Sequence, residues 1–167
     1  LEAYRDKAIE TVEVYLLNTE NEKVREELAL RYRKEGNIEK AKQHLHHLAN
    51  KYANAQAYMH LAMIAAKSSP IDALSYAKKA YELEDSNVKI LDAYGWLLTI
   101  NNQPSDGLHI LRNAFEREPK EPLIMYHLGE TYYQLGRMND AKNMFENVLA
   151  FEGFPHLSKI RQRLQNL

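Results

Sequence analysis

Small residues recur through this chain at a nearly fixed interval, and that recurrence limits the fold more than any other feature. Gly129 corresponds to Gly95, Ala62 and Ala29, at spacings of 34, 33 and 33 residues. Ala141 corresponds to Gly107, Ala73 and Ala41, at spacings of 34, 34 and 32. Within each unit the two small residues stand 11 or 12 apart. A glycine in a helix interior costs about 1 kcal/mol relative to alanine, so something must offset that cost at Gly129, inside "LGETYYQLGRMNDAKNMFENVL". Two small residues at a constant offset on successive helices do so by letting the helices cross closely, where a larger side chain would hold them apart.

The apolar pattern agrees. First helices carry Leu28/Tyr32, Tyr58/Leu61/Ala65, Leu91/Tyr94/Leu98 and Met125/Leu128/Tyr132. Second helices carry Leu45/Leu48, Ala77/Ala80, Leu111/Ala114 and Phe145/Val148. Both sets follow the three-and-four spacing of a buried helical stripe. Short breakers separate them: "EGN" at Glu35, "SSP" at Ser68, "NNQP" at Asn101 and "LGR" at Leu135. Glycine ends a helix because it tolerates the left-handed conformation, and proline suits a first helical turn. The reading is all-α, about ten helices in antiparallel pairs with no sheet.

A helix–turn–helix repeat of this length resembles the tetratricopeptide repeat family. The last unit carries the likeness best, with Met125, Leu128, Gly129, Tyr132, Ala141 and Phe145. The unit before it has Leu91, Tyr94, Gly95, Leu98, Ala114 and Pro119, with Gly107 where the family has alanine. The resemblance implies a right-handed solenoid in a single domain, with units at 22–54, 55–87, 88–121 and 122–155. Residues 1–18 read as the second helix of an upstream unit, with Ala8 and Val12 in its buried slots. Residues 156–167 read as a capping helix, with Leu157, Ile160, Leu164 and Leu167 on its apolar edge and Lys159, Arg161 and Arg163 on a solvated face. A lone second helix after a start at Leu1 implies an array cut from a longer one. Ile9, Val12, Tyr15 and Leu16 are not all expected to be hidden by one neighbour, which implies weak self-association through that helix.

Composition narrows the chemistry. A net charge of −1 argues against nucleic-acid binding, which needs clustered Lys and Arg. The chain has no cysteine, which excludes disulfides and thiolate metal sites and fits a cytoplasmic or an exported protein. No apolar stretch reaches membrane-spanning length. His44 and His47 lie one helical turn apart, but a stable zinc site wants three or four ligands, so no metal site is expected. No phosphate-binding loop or nucleophile motif is present. The expectation is a non-enzyme with no cofactor.

Function is read from apolar residues off the core stripe. At about 100° per residue, Leu30, Met59, Met63, Trp96, Tyr126 and Tyr133 fall on the far side of their first helices. In the tetratricopeptide family such positions face the concave groove. Arg33, His60, Asp92, His127 and Glu130 stand among them. These eleven residues form the expected groove for a protein or peptide partner, with aromatic anchors of the kind that dominate binding energy. The alternative is a purely structural or oligomerisation segment of a longer repeat protein. Some family members clamp acidic chaperone tails, but the matching positions hold Glu26, Leu30, His60, Lys89 and Ala93. Only Lys89 fits that clamp, so such tails are not expected ligands. The stretch from "LDAYGWLL" through "LGETYYQLGR" is similar to bacterial envelope tetratricopeptide proteins linked to exopolysaccharide production and protein sorting, which implies a place on the periplasmic side of the envelope.

Overall fold

Ten helices follow one another in a computed structural model that describes residues 2–167, with side chains described at positions 4 and 7–16 of the first helix and from Glu20 onward. They are α1 (Glu2–Thr19), α2 (Glu22–Lys34), α3 (Ile38–Tyr52), α4 (Ala55–Ala65), α5 (Pro70–Leu83), α6 (Val88–Ile100), α7 (Pro104–Arg117), α8 (Pro122–Gln134), α9 (Met138–Val148) and α10 (Leu157–Gln165). Among the described residues there is no strand. The strongest packing is within the pairs α2/α3, α4/α5, α6/α7 and α8/α9, and each pair packs on the next.

The crossings lie where the small residues predict. Ala29, Ala41, Ala62, Ala73 and Ala141 are wholly buried. A Cβ placed on Gly129 would lie 2.6 Å from Cδ1 of Phe145. At the third pair both crossing residues are glycine, and a Cβ on Gly107 would lie 2.6 Å from the carbonyl oxygen of Gly95 and against the Thr99 hydroxyl. The hydroxyl of Thr99 thus fills the space an alanine methyl takes in the other pairs.

The helix starts show a second periodicity that the sequence reading missed. Asn21, Asn54 and Asn87 each accept a hydrogen bond from a backbone N–H of the first turn of α2, α4 and α6, and Glu121 does so for α8. One capping side chain per unit, 33 or 34 residues apart, satisfies donors that the helix itself leaves open. Gly136 turns the chain between α8 and α9 with φ of 72°, and Asn102 performs the same left-handed step between α6 and α7 at φ of 62°. Asparagine tolerates that region better than most residues.

The terminal helices differ from expectation. On α1, Ala8 is exposed, and the buried positions are Ile9 and Leu16, with Val12 half-buried between them. An Ile9–Val12–Leu16 stripe places larger apolar side chains against Leu28 and Tyr32 than an Ala8 stripe could, so the helix is rotated by about one residue. Glu13 of α1 accepts from the Tyr32 hydroxyl and from Lys40 Nζ, the latter at 3.1 Å. On α10, Ile160 is buried, Leu157 and Leu164 are half-buried and Leu167 is exposed.

Candidate functional site

The first helices α2, α4, α6 and α8 stand side by side, and α10 takes the place of a further one beside α8. Side chains on their shared face therefore meet across neighbouring helices. His127 Nδ1 donates to Asp92 Oδ1 at 2.7 Å, linking α8 to α6. The Trp96 indole stacks on the His127 ring with centroids 4.4 Å apart. Thr99 and Thr131 hydroxyls lie 2.9 Å apart in the same interface.

Between α8 and α10 the contacts are stronger. Arg163 grips Glu130 with two parallel hydrogen bonds of 3.1 and 3.0 Å, and Lys159 Nζ lies 3.1 Å from the same carboxylate. Lys159 also donates to the Tyr126 hydroxyl at 2.9 Å. His156 stacks on the Tyr126 ring, and the Arg163 guanidinium sits 4.2 Å over Tyr133. Burial pushes the Glu130 pKa up, but hydrogen bonds from Arg163 and Lys159, with their charges, outweigh it and hold the carboxyl below its usual range. Burial pushes Lys159 down, and its bonds to Tyr126 and Glu130 leave it raised.

These contacts correct the expected groove at its C-terminal end. Tyr126 is 3 % exposed and Glu130 is 2 % exposed, so neither opens to a partner. Asp92 and His127 are buried and paired with each other, Trp96 is stacked on His127, and Tyr133 is half-buried under Arg163. Arg163 likewise leaves the solvated face it was expected to share with Arg161, while Lys159 stays on that face, its side chain 45 % exposed, and reaches in to Tyr126 and Glu130 with its Nζ. The helical wheel groups these residues on the face through which neighbouring first helices touch; it does not show whether a neighbouring helix covers the side chain. The signal for Lys159 and Arg163 was present, since each follows its partner, Tyr126 or Glu130, by 33 residues, one repeat length.

The N-terminal half of the wall stays open. Arg33, Met59, His60 and Met63 line a hollow of about 390 Å³ together with residues at the starts of α6 and α8. Val88, Leu123 and Ile124 add apolar surface, and Glu118 and Glu121 add charge from the α7–α8 turn; none of these was expected at the site. Met63 is 49 % exposed, and Asp92 lines one wall although most of it is covered. Leu30 is half-buried on α2 and lines a separate shallow depression with Arg31 and Lys34.

Arg33 Nη1 donates to His60 Nδ1 at 3.2 Å. An acceptor Nδ1 means a neutral ring, and burial first, then the Arg33 charge, pushes the His60 pKa from 6.5 to about 4. Burial first, and Arg25 second, also lower His44 and His47 on α3. A histidine lowered in the folded state contributes stability above its unfolded pKa, and that stability is lost as pH falls from there to the folded value. Acidification from pH 6.5 to about 4 should therefore loosen α3 and α4, with His60 alone contributing about 1–2 kcal/mol after solvent screening. Thermal melts of wild type and His60→Gln across that range check this. The acid-induced fall should be smaller in the variant.

Among the described residues no group of three or more His, Asp or Glu side chains converges for a metal ion; His44 instead lies 3.4 Å from the Arg25 guanidinium. No described helix is long and apolar enough to cross a membrane.

Repeated helix pairs crossing at small residues, with their first helices forming one wall, define a helical-repeat solenoid. Residues 98–164 match the tetratricopeptide repeat family, and the whole chain has the fold of solved tetratricopeptide-repeat solenoids. No curated protein sequence matches it. Among solved structures, it is similar to YrrB, described as a TPR protein with an unusual peptide-binding site, with a TM-score of 0.74 at 18 % identity over 97 % of this chain and 84 % of that one. TTC0263, a thermophilic TPR protein in Thermus thermophilus, gives 0.71 at 19 % identity, over 96 % of this chain and 89 % of that one. A crystal structure of MamA gives 0.69 at 17 % identity, over 81 % and 80 %.

Proposed function

We propose that this chain is a non-catalytic scaffold that takes a segment of a partner polypeptide into the hollow between α4, α6 and the start of α8. The observation that carries this is the exposed apolar lining of a concave surface. Met63 and Leu123, 49 % and 38 % exposed, stand where a solvated wall would hold Lys or Glu. Methionine adapts to varied side chains, and concave, largely apolar surfaces with a few polar groups are the usual ligand sites. That YrrB is described as having a peptide-binding site supports a similar use of this fold here. The expected groove thus contracts to Arg33, Met59, His60 and Met63, joined by Val88, Leu123 and Ile124.

Peptides selected on the wild-type chain from a displayed random library test the proposal. Met63→Glu puts a charge on the apolar lining at an exposed position and should leave the melting temperature unchanged. It should weaken the selected peptides at least tenfold, about 1.4 kcal/mol. A library that yields no binder, or binders indifferent to both Met63→Glu and Leu123→Glu, would remove the hollow as a site.

A further inference from the structure

The hollow has an order of charge as well as an apolar floor. Its α2 side is cationic. Arg33 reaches His60, a neutral acceptor, and among the described residues no carboxylate forms an ion pair with it. A half-buried guanidinium whose hydrogen-bond partner is uncharged retains its full charge for an incoming group. Asp92, the carboxylate on the adjoining wall, is already engaged by His127. The α8 side is anionic. Glu118 and Glu121 are both exposed, and neither is in an ion pair among the described residues. Glu121 uses one oxygen to accept from the Leu123 N–H at 3.4 Å, which leaves its other oxygen for a ligand. Lys89 at the start of α6 offsets one of these two glutamates, so the ends of the hollow keep opposite net signs. Met59 and Met63 of α4 line the hollow between the α2 and α8 sides, and Leu123 adds apolar surface beside Glu121.

We propose that the hollow selects a bipolar polypeptide segment, in which apolar side chains are flanked by an acidic side chain that meets Arg33 and a basic side chain that meets Glu118 and Glu121. This rests on the scaffold reading above and adds the chemistry of the partner. The apolar centre supplies most of the affinity. The charged ends set which way the segment lies and which segments are refused, because unlike ends repel a uniformly charged ligand at one side.

Three short fluorescein-labelled peptides with the same Leu-Met-Leu centre test the charge order. One carries Glu at one end and Lys at the other, one carries Glu at both ends and one carries Lys at both. Anisotropy titrations at low salt should show the mixed peptide binding about tenfold tighter than either uniform one. Arg33→Glu should pass the preference to the peptide with two lysines. Arg33→Met, which keeps the aliphatic packing, should remove discrimination at that end without reversing it. Glu118→Lys should move the preference toward the peptide with two glutamates. Equal binding of all three peptides, with Met63→Glu still abolishing it, would overturn the charge order and leave the apolar site standing. Absence of binding by every peptide would overturn both.

Discussion

Installing alanine at Gly107, the residue the repeat pattern favours there, should destabilise the protein by about 2–3 kcal/mol. The gain in helix propensity is about 1 kcal/mol, and overpacking a close crossing costs more. The new methyl would meet the backbone oxygen of Gly95 at 2.6 Å and the Thr99 hydroxyl. A backbone carbonyl has little room to retreat, since it is held in α6. Chemical denaturation of the single variant measures the effect, and a cycle with Thr99→Ala apportions it. Removing the hydroxyl should return part of the loss, and the Gly95 carbonyl should keep the rest. Gly129→Leu, pressed against Phe145, should cost several kcal/mol on the same grounds. Lys142→Ala, which loses an exposed ion pair of 3.9 Å with Glu146, should be nearly silent. A stabilised Gly107→Ala protein would mean that α6 and α7 do not cross here.

Arg163→Ala should cost about 2–3 kcal/mol, toward or below the low end for breaking a buried ion pair. Glu130 is almost wholly buried and would lose two charge-assisted hydrogen bonds, while Lys159 stays within 3.1 Å. The effect should concentrate in α10, so hydrogen exchange there should quicken more than in α6 and α7. Adding Glu130→Gln should recover part of the loss, because the orphaned charge disappears. The pH dependence follows from the lowered Glu130 pKa. A carboxyl lowered in the folded state stabilises above its unfolded value, and that contribution is lost as pH falls through the folded one. Wild type and Arg163→Ala should therefore converge in acid. Equal, small effects from Arg163→Ala and Arg161→Ala would place Arg163 back on a solvated face.

The fold was legible because its constraint is written at the backbone. A crossing that admits only glycine or alanine leaves the same mark at Ala29, Ala62, Gly95 and Gly129 whatever surrounds it. The site was legible only as a face. Tyr126 and Met63 both lie off the core stripe, yet one is covered by the cap and the other is open. The difference depends on whether the next first helix brings a matching side chain, as α10 brings Lys159. Ala8 was misplaced because a short second-helix stripe can be drawn through Ala8 or Ile9, and only the contacts with Leu28 and Tyr32 decide. The capping asparagines recur at repeat spacing, but Asn is also common in turns, and the fourth member is Glu121.

The polar ties between first helices are unevenly distributed. Arg33 joins His60 across α2 and α4, Asp92 joins His127 across α6 and α8, and Glu130 is held by α10. Among the described residues no side-chain hydrogen bond spans α4 and α6, where the hollow lies. That joint is held by apolar packing, with Ala62 of α4 and Leu97 of α6 in one buried cluster, and apolar contacts are less directional than hydrogen bonds. Curvature should vary most at that joint, and a guest lodged there would act as a wedge, setting the pitch of the whole superhelix from its softest hinge.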